Sequence, residues 1–220
     1  MAYFNKKIFR KLLQAPLPGI SAQMEMMPIV PGSDRFDHSM RGNSTPGGVL
    51  ILIYPHNGEL YVPLMLRPEY GGAHSGQVSF PGGKVENGDI DLVHTALRES
   101  NEELGIPDEK VEILGNLTEL FIIASNFTVS PVIGYLDFRP DFIIDPREVV
   151  EVIETPISLL LNKDTVKEKG FKVRQGFTIN APYFDINNHH VWGATAMILS
   201  EFLTIFKNYE SNYRSGGARK

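Results

Sequence analysis

The chain predicts a mixed α/β architecture, with helices packed on a sheet of mixed direction. Three observations carry that expectation. Gly48–Tyr54 (Gly-Val-Leu-Ile-Leu-Ile-Tyr) is a continuous apolar run, the pattern of a strand covered on both faces. One long helical segment, Asp91–Leu104, falls between groups of strands, without the regular alternation of a doubly wound sheet. A second helix, Trp192–Phe206, closes the order, and no repeat or linker divides the chain. At 220 residues the length suits one domain with a modest extension, enough to bury a full core.

The elements follow in order. Phe4–Leu13 alternates apolar residues with Lys6, Lys7, Arg10 and Lys11. It lacks the unbroken apolar segment of a signal peptide and reads as a short amphipathic helix. Pro16–Gly47, rich in Pro, Gly, Met and polar residues, reads as an extended arm laid over the surface. Asn57-Gly58 is a hairpin turn signal, with Leu60–Arg67 as the return strand. Tyr70–Ser75 is a glycine-containing loop, and Gln77–Phe80 a short strand ending at Pro81-Gly82-Gly83. The helix Asp91–Leu104 stops at Gly105, with Pro107 just beyond. Val111–Ala124 and Thr128–Phe138 read as two strands joined by Ser125-Asn126. Glu148–Ile153 predicts a strand, Ser158–Leu161 a helical turn, and Phe171–Val173 and Tyr183–Ile186 short strands. The expected division is a helix and arm over 1–45, the main domain over 46–207 and a disordered tail over 208–220.

Composition narrows the chemistry. A net charge of -5 argues against a general affinity for nucleic acid or anionic membrane. The absence of cysteine excludes disulfides, thiolate nucleophiles and cysteine-zinc sites, so any metal must be held by oxygen or imidazole. No run approaches the ~20 apolar residues of a membrane helix, and the expected location is the cytoplasm.

The most informative segment runs from Gly82 to Ile106. A glycine turn leads into an acidic loop, then into a helix carrying Glu99, Glu102 and Glu103. At about 100° per residue these carboxylates share one wedge, beside the apolar stripe of Val93, Leu97, Ser100 and Leu104. Like charges so spaced destabilise a bare helix by a few tenths of a kcal/mol. A divalent cation would make sense of them: oxygen ligands in this pattern suit Mg²⁺ or Mn²⁺. Arg98, at the edge of the wedge, is placed to hold a carboxylate in a bidentate pair. Taken alone, a solvated acidic face explains the cluster as well as a metal site does.

The preceding residues break that tie. The segment resembles the signature of the Nudix hydrolases, Gly-x5-Glu-x7-Arg-Glu-U-x-Glu-Glu-x-Gly-U, with U an apolar residue. Arg98, Glu99, Glu102, Glu103, Gly105 and Ile106 match in register, with Ser100 in place of an apolar residue. The first half fits only with one residue added to the loop: Gly83, five residues, Asp89, eight residues, Arg98. A lengthened, aspartate-bearing loop of this kind is similar to that of the coenzyme A pyrophosphatase branch. That branch's upstream signature, Leu-Leu-Thr-x-Arg-(Ser/Ala)-x3-Arg-x3-Gly-x3-Phe-Pro-Gly-Gly, is also resembled. Leu64, Arg67, Gly76, Phe80, Pro81, Gly82 and Gly83 match it, while Pro63, Met65, Pro68 and Gly72 depart from it. Glycine at 72 removes an arginine that could contact phosphate.

The resemblance implies an α/β/α sandwich with a mixed sheet between helices. It also implies attack of water on one phosphorus of a pyrophosphate, with coenzyme A or its thioesters giving 3',5'-ADP and 4'-phosphopantetheine or its acyl form. In this reading Glu99, Glu103, Glu102 and the Gly83 carbonyl are candidate Mg²⁺ or Mn²⁺ ligands, and Glu102 and Arg98 the catalytic pair. Arg67, Lys84 and His74 are candidate substrate contacts. Glu119, Glu148, Glu151 and Glu154 are other possible bases, the last three also readable as strand-edge charges. Another nucleoside diphosphate derivative, such as ADP-ribose or an oxidised nucleotide, is the alternative substrate. A non-catalytic nucleotide-sensing module is the alternative class, although all three helix glutamates are present. The partner is thus a small nucleotide, with no nucleic acid or membrane, and a homodimer is expected on family analogy alone.

His189-His190 lacks acidic or cysteine partners at metal-site spacing, and neighbours on an extended chain point to opposite faces. Trp192 reads as a core anchor or as a stacking surface.

Overall fold

The computed structural model describes residues 4–29, 43–69, 75–172, 176 and 178–217, with side chains of the last helix described as far as Asn212. Helix α1 (Lys6–Gln14) and the short α2 (Ile20–Met24) precede strands β1 (Thr45–His56), β2 (Glu59–Leu66), β3 (Val78–Ser79) and β4 (Gly82–Lys84). Helix α3 (Leu92–Leu104) leads to β5 (Glu112–Asn116), β6 (Leu120–Ile122), β7 (Phe127–Tyr135) and β8 (Glu151–Pro156). Then come α4 (Ile157–Leu161), β9 (Val166–Lys172), β10 (Thr178–Ile186), β11 (His189–Trp192) and α5 (Ala194–Gly217). Among the described residues no helix is long and apolar enough to cross a membrane.

The main sheet is mixed, running β3-β2-β1-β7-β5, with β4 on β1, β6 on β7 and β8 on β2. Among the described residues only β1 and β7 pair in parallel. A second, antiparallel sheet runs β11-β10-β9. The hairpin between β1 and β2 turns at Asn57 (φ 49°) and Gly58 (φ 83°), both left-handed, as a two-residue turn matched to strand twist requires.

The unbroken apolar run of β1 has a direct cause. Leu50, Leu52 and Tyr54 share a core with Ala96 and Leu104 of α3, whereas Ile51 and Ile53 share another with Phe9 of α1 and Phe202 of α5. All nine side chains are fully buried. With helices on both faces, the sheet has no solvent side on which to alternate. The expected α/β/α sandwich is the one observed.

Several expectations need correction. Val111–Ala124 is not one strand. Thr118 leaves the ladder between β5 and β6, and its hydroxyl donates to Glu201 Oε1 of α5 at 2.7 Å. The strand placed at Glu148–Ile153 begins at Glu151, because the Glu148 and Val149 N–H groups both donate to Asp145 O in a turn. Trp192 belongs to β11 and not to the last helix. Helix α5 runs on past Asn208 as far as Gly217, into the stretch read as a disordered tail. Its anchor there is Tyr209, buried against Phe4, Phe9 and Phe206, whose hydroxyl accepts the Asn5 N–H at 2.8 Å.

The N-terminal segment, read as a helix and an arm laid over the surface, also reaches into the core. Phe4, Phe9, Leu13 and Met26 lie in the same core as α5. Glu201, fully buried, accepts from Gly19 N–H (3.1 Å), Gln23 Nε2 (2.9 Å) and Thr118. Residues 30–42, much of the predicted arm, lie outside the described residues, as does Val173.

Candidate active site

Helix α3 is defined by its ends. Asp91 caps it by accepting the His94 N–H at 2.8 Å. Gly105 closes it at φ 67°, its N–H donating to Asn101 O at 2.8 Å. Ser100, where the resemblance asks for an apolar residue, is fully buried, and its hydroxyl donates back to Ala96 O at 2.5 Å. Bonding inward lets serine replace an apolar group there without leaving a polar atom unsatisfied.

The three carboxylates of α3 differ sharply in environment. The sequence placed all of them beside the core stripe, yet Glu103 lies within it at 2% exposure. Its Oε2 accepts the Gly82 N–H at 2.8 Å, and its Oε1 accepts from Arg67 Nη2 at 2.9 Å. Burial pushes the Glu103 carboxyl up to about 7, outweighing the Arg67 guanidinium and the Gly82 N–H, with the charges of Glu99 and Glu148 adding to the rise. Glu99, 13% exposed, is also raised, first by burial and then by the charges of Glu102 and Glu148 against the pull of Arg98. Glu102 faces solvent at 60% exposure, its Oε2 accepting from Arg98 Nη1 at 3.2 Å.

Arg98 ties the helix to the lengthened loop. Its Nε and Nη2 donate to Asp89 Oδ1 (2.9 Å) and Oδ2 (3.0 Å), and Nη2 also reaches Lys84 O (3.2 Å) and Glu99 Oε1 (3.0 Å). The bidentate partner is thus Asp89, from the loop. Asp89 also accepts from Glu86 N–H (2.9 Å) and Thr95 Oγ1 (2.9 Å), and its Oδ1 lies 3.1 Å from His94 Nδ1. These donors, Arg98 foremost, hold the Asp89 carboxyl well below the usual range. Sequence reasoning missed the roles of Thr95 and His94. Their spacing of six and five residues from Asp89 was the available signal.

Gly83 pairs with Gly48 of β1. A β-carbon on Gly83 would sit 2.5 Å from the Glu99 carboxyl, so the bare backbone makes room for that side chain. Arg67, expected to meet substrate phosphate, instead donates to Glu103, Ser79 Oγ (3.1 Å) and Gly82 O (3.2 Å). Lys84 projects into solvent, 3.9 Å from Glu86 Oε1. His74 lies outside the described residues, as does Gly72.

Of the other base candidates, Glu154 is held by Arg139 (2.8 and 2.7 Å) and by the Tyr54 hydroxyl (2.9 Å). Glu151 lies 3.5 Å from His189. Glu148 is the member of that group whose charge is felt by both Glu99 and Glu103.

Among the described residues no three acidic, imidazole or thiol groups converge as a finished metal cage. The donor set fits a hard divalent cation all the same. Glu99 and Glu103 are mutually repelling carboxylates in a partly dry site, and Mg²⁺ needs only one or two such ligands, completed by water and phosphate oxygens.

Comparison with known proteins agrees with this geometry. Residues 44–170 match the NUDIX domain. A mitochondrial coenzyme A diphosphatase of Mus musculus is 38% identical over 133 residues, covering 58% of this chain and 61% of that protein. Nudix hydrolase 15, mitochondrial, of Arabidopsis thaliana is 33% identical over 187 residues, covering 82% and 63%. An uncharacterized Nudix hydrolase, NudL, of Photorhabdus laumondii is 33% identical over 129 residues, covering 59% and 68%. The chain thus spans 61% to 68% of the length of these relatives. The matched stretch contains the glycine turn, the Asp89 loop and the carboxylate helix, and with them the chain belongs to the Nudix hydrolase family.

Proposed function

We propose that this Nudix hydrolase cleaves the pyrophosphate bond of coenzyme A or its thioesters, releasing 3',5'-ADP and 4'-phosphopantetheine or its acyl form. The observation that carries the reading is the relative at 38% identity named as a coenzyme A diphosphatase. The Arg67–Glu103 bond supports it, because it joins the upstream coenzyme A-type segment to the carboxylate helix.

Glu99 and Glu103 would hold Mg²⁺ or Mn²⁺, with the Gly83 carbonyl as a further ligand and Glu102 as either a ligand or the base. When bound, the cation neutralises the diphosphate and acidifies a water. The remaining work falls to this chain's side chains. In the base role Glu102, exposed and hydrogen-bonded to Arg98, would take the proton of the attacking water; Glu148 is the next candidate. Arg98 holds the loop carboxylate and the helix carboxylates in register. Lys84 is the exposed cation available to phosphate oxygens, and His74 is a further contact. The reading includes a cytoplasmic location, although two relatives carry mitochondrial names, and a homodimer.

The test is incubation of the purified protein with Mn²⁺ and a panel of coenzyme A, ADP-ribose, diadenosine polyphosphates and nucleoside triphosphates, with products identified by mass. Coenzyme A should yield 3',5'-ADP as the leading product. Preferential cleavage of ADP-ribose would replace the substrate, and survival of every compound would favour a nucleotide sensor.

A further inference from the structure

The second sheet presents two unlike faces. Phe184, Ile186 and Val191 turn into the main core. On the other face lie Phe171 and Lys169 of β9, Tyr183 of β10, and His190 and Trp192 of β11, brought together by the pairing Tyr183↔Trp192. The rings form one platform. Phe171 and Trp192 stack with centroids 4.4 Å apart at 14°, and Tyr183 meets Phe171 edge-on at 5.7 Å and His190 at 4.9 Å.

Lys169 stands over this platform, its Nζ 4.8 Å from the Phe171 centroid and 5.2 Å from that of Tyr183. Lys167, two residues earlier, is neutralised by Asp185 at 2.7 Å. Among the described residues Lys169 has no carboxylate partner within salt-bridge distance. Burial, with help from the Lys169 charge, holds the His190 ring below its ordinary value and therefore neutral near pH ~7. Phe171, Trp192, His190 and Lys169 line a cavity of about 310 Å³ that is also lined by Leu66 and Val78.

Those two residues connect the cavity to the carboxylates. Leu66 is followed by Arg67, which holds Glu103, and Val78 by Ser79, which accepts from Arg67 Nε. Strand β3 thus sets Val78 against the cavity and the next residue, Ser79, against the arginine that holds Glu103. Half-buried ring surface with one unpaired ammonium suits a flat heterocycle that carries a phosphate.

We propose that this cavity is a second subsite, binding the phosphorylated adenosine end of the substrate, with the base against the Trp192–Phe171 stack and a phosphate monoester on Lys169. The assignment rests on the coenzyme A reading and deepens it. Among nucleoside diphosphate esters, it selects those with a phosphate on the ribose.

Trp192 is the sole tryptophan of the chain, so its fluorescence reports on this cavity directly. Titration with adenosine 3',5'-bisphosphate without metal should give saturable quenching. Lys169→Ala should weaken it about tenfold and Lys169→Arg should largely restore it, while 5'-AMP should bind alike to both parent and Lys169→Ala. In turnover, Lys169→Ala should raise KM for coenzyme A about tenfold with kcat within about twofold, and leave KM for dephospho-coenzyme A unchanged. Absent quenching, or quenching indifferent to Lys169→Ala, would overturn the subsite even if coenzyme A is hydrolysed. Quenching that follows this pattern without hydrolysis of coenzyme A would keep the subsite and remove the proposed activity.

Discussion

Arg98 and Asp89 form a two-pronged ion pair, Nε to Oδ1 at 2.9 Å and Nη2 to Oδ2 at 3.0 Å, between helix α3 and the loop that precedes it. The added loop residue that disturbs the signature's register therefore does not break its geometry. Asp89 arrives from the longer loop and closes on the arginine beside the helix carboxylates Glu99 and Glu102. Planar guanidinium against carboxylate fixes direction as well as distance.

Asp89→Asn should loosen that loop. With Arg98 the main cause, the Asp89 carboxyl is held well below its ordinary value. A depressed carboxylate contributes stability that is complete above the unfolded value of about 3.9 and is lost as pH falls through the lower folded value. The variant should thus melt earlier by the same margin at pH ~7 and pH ~5, roughly 2–3 kcal/mol or several degrees, with the gap closing only under strong acid. Melting curves across that range check the sign. A gap that shrinks between pH ~7 and pH ~5 would contradict it.

Glu103→Gln should lower metal-dependent turnover by at least about 100-fold and leave the circular dichroism spectrum intact. Glutamine keeps one acceptor, for the Gly82 N–H, but turns its amide NH₂ towards Arg67 and removes that guanidinium's ion-pair partner, so the metal-free melting temperature should fall while the fold is kept. Unchanged turnover would remove Glu103 from the ligand set.

Two glycine variants separate function from folding. In Gly83→Ala the atoms nearest the new methyl belong to the far end of Glu99, at 2.5 Å, and that flexible side chain moves aside. Metal affinity, read by calorimetry, should drop about tenfold with melting little changed. In Gly48→Ala the methyl meets the Leu92 carbonyl at 2.3 Å, backbone that must shift, so stability should fall by roughly 1–3 kcal/mol. Equal melting of the two variants would refute the contrast.

Tyr209→Ala should destabilise the protein by roughly 3–5 kcal/mol, since it empties an aromatic site lined by Phe4, Phe9 and Phe206 and frees the Asn5 N–H. Denaturant titration measures it. A loss under about 1 kcal/mol would return this part of α5 to the status of a loose tail.

What the sequence made legible was mostly local. The stop at Gly105, the Asn57-Gly58 turn and the two-sided burial of β1 rest on residues a few positions apart, and each is found where expected, while Asp91, read as the first helical residue, is the cap just before it. The site was harder. Helical periodicity gives Glu99, Glu102 and Glu103 a common wedge, but the cover over Glu103 comes from Arg67, 36 residues away, and no spacing rule carries that. Glu201 was equally hidden, because its donors come from positions 19, 23 and 118. Strand β11 was a plain oversight. Asn187 and Asn188 (φ 51° and 70°) form a left-handed pair that the dipeptide itself announces.

Glu201 also sets how this protein can be cut and recombined. The family match begins at residue 44, an inviting place to trim. A fragment starting there would take away Gly19 and Gln23 and leave an interior carboxylate with Thr118 as its one remaining hydrogen-bonding neighbour of the three. Chimeras joined at the motif boundary would inherit an unbalanced charge at the heart of α5. Positions 19, 23, 118 and 201 form a heritable unit, to be exchanged together or not at all.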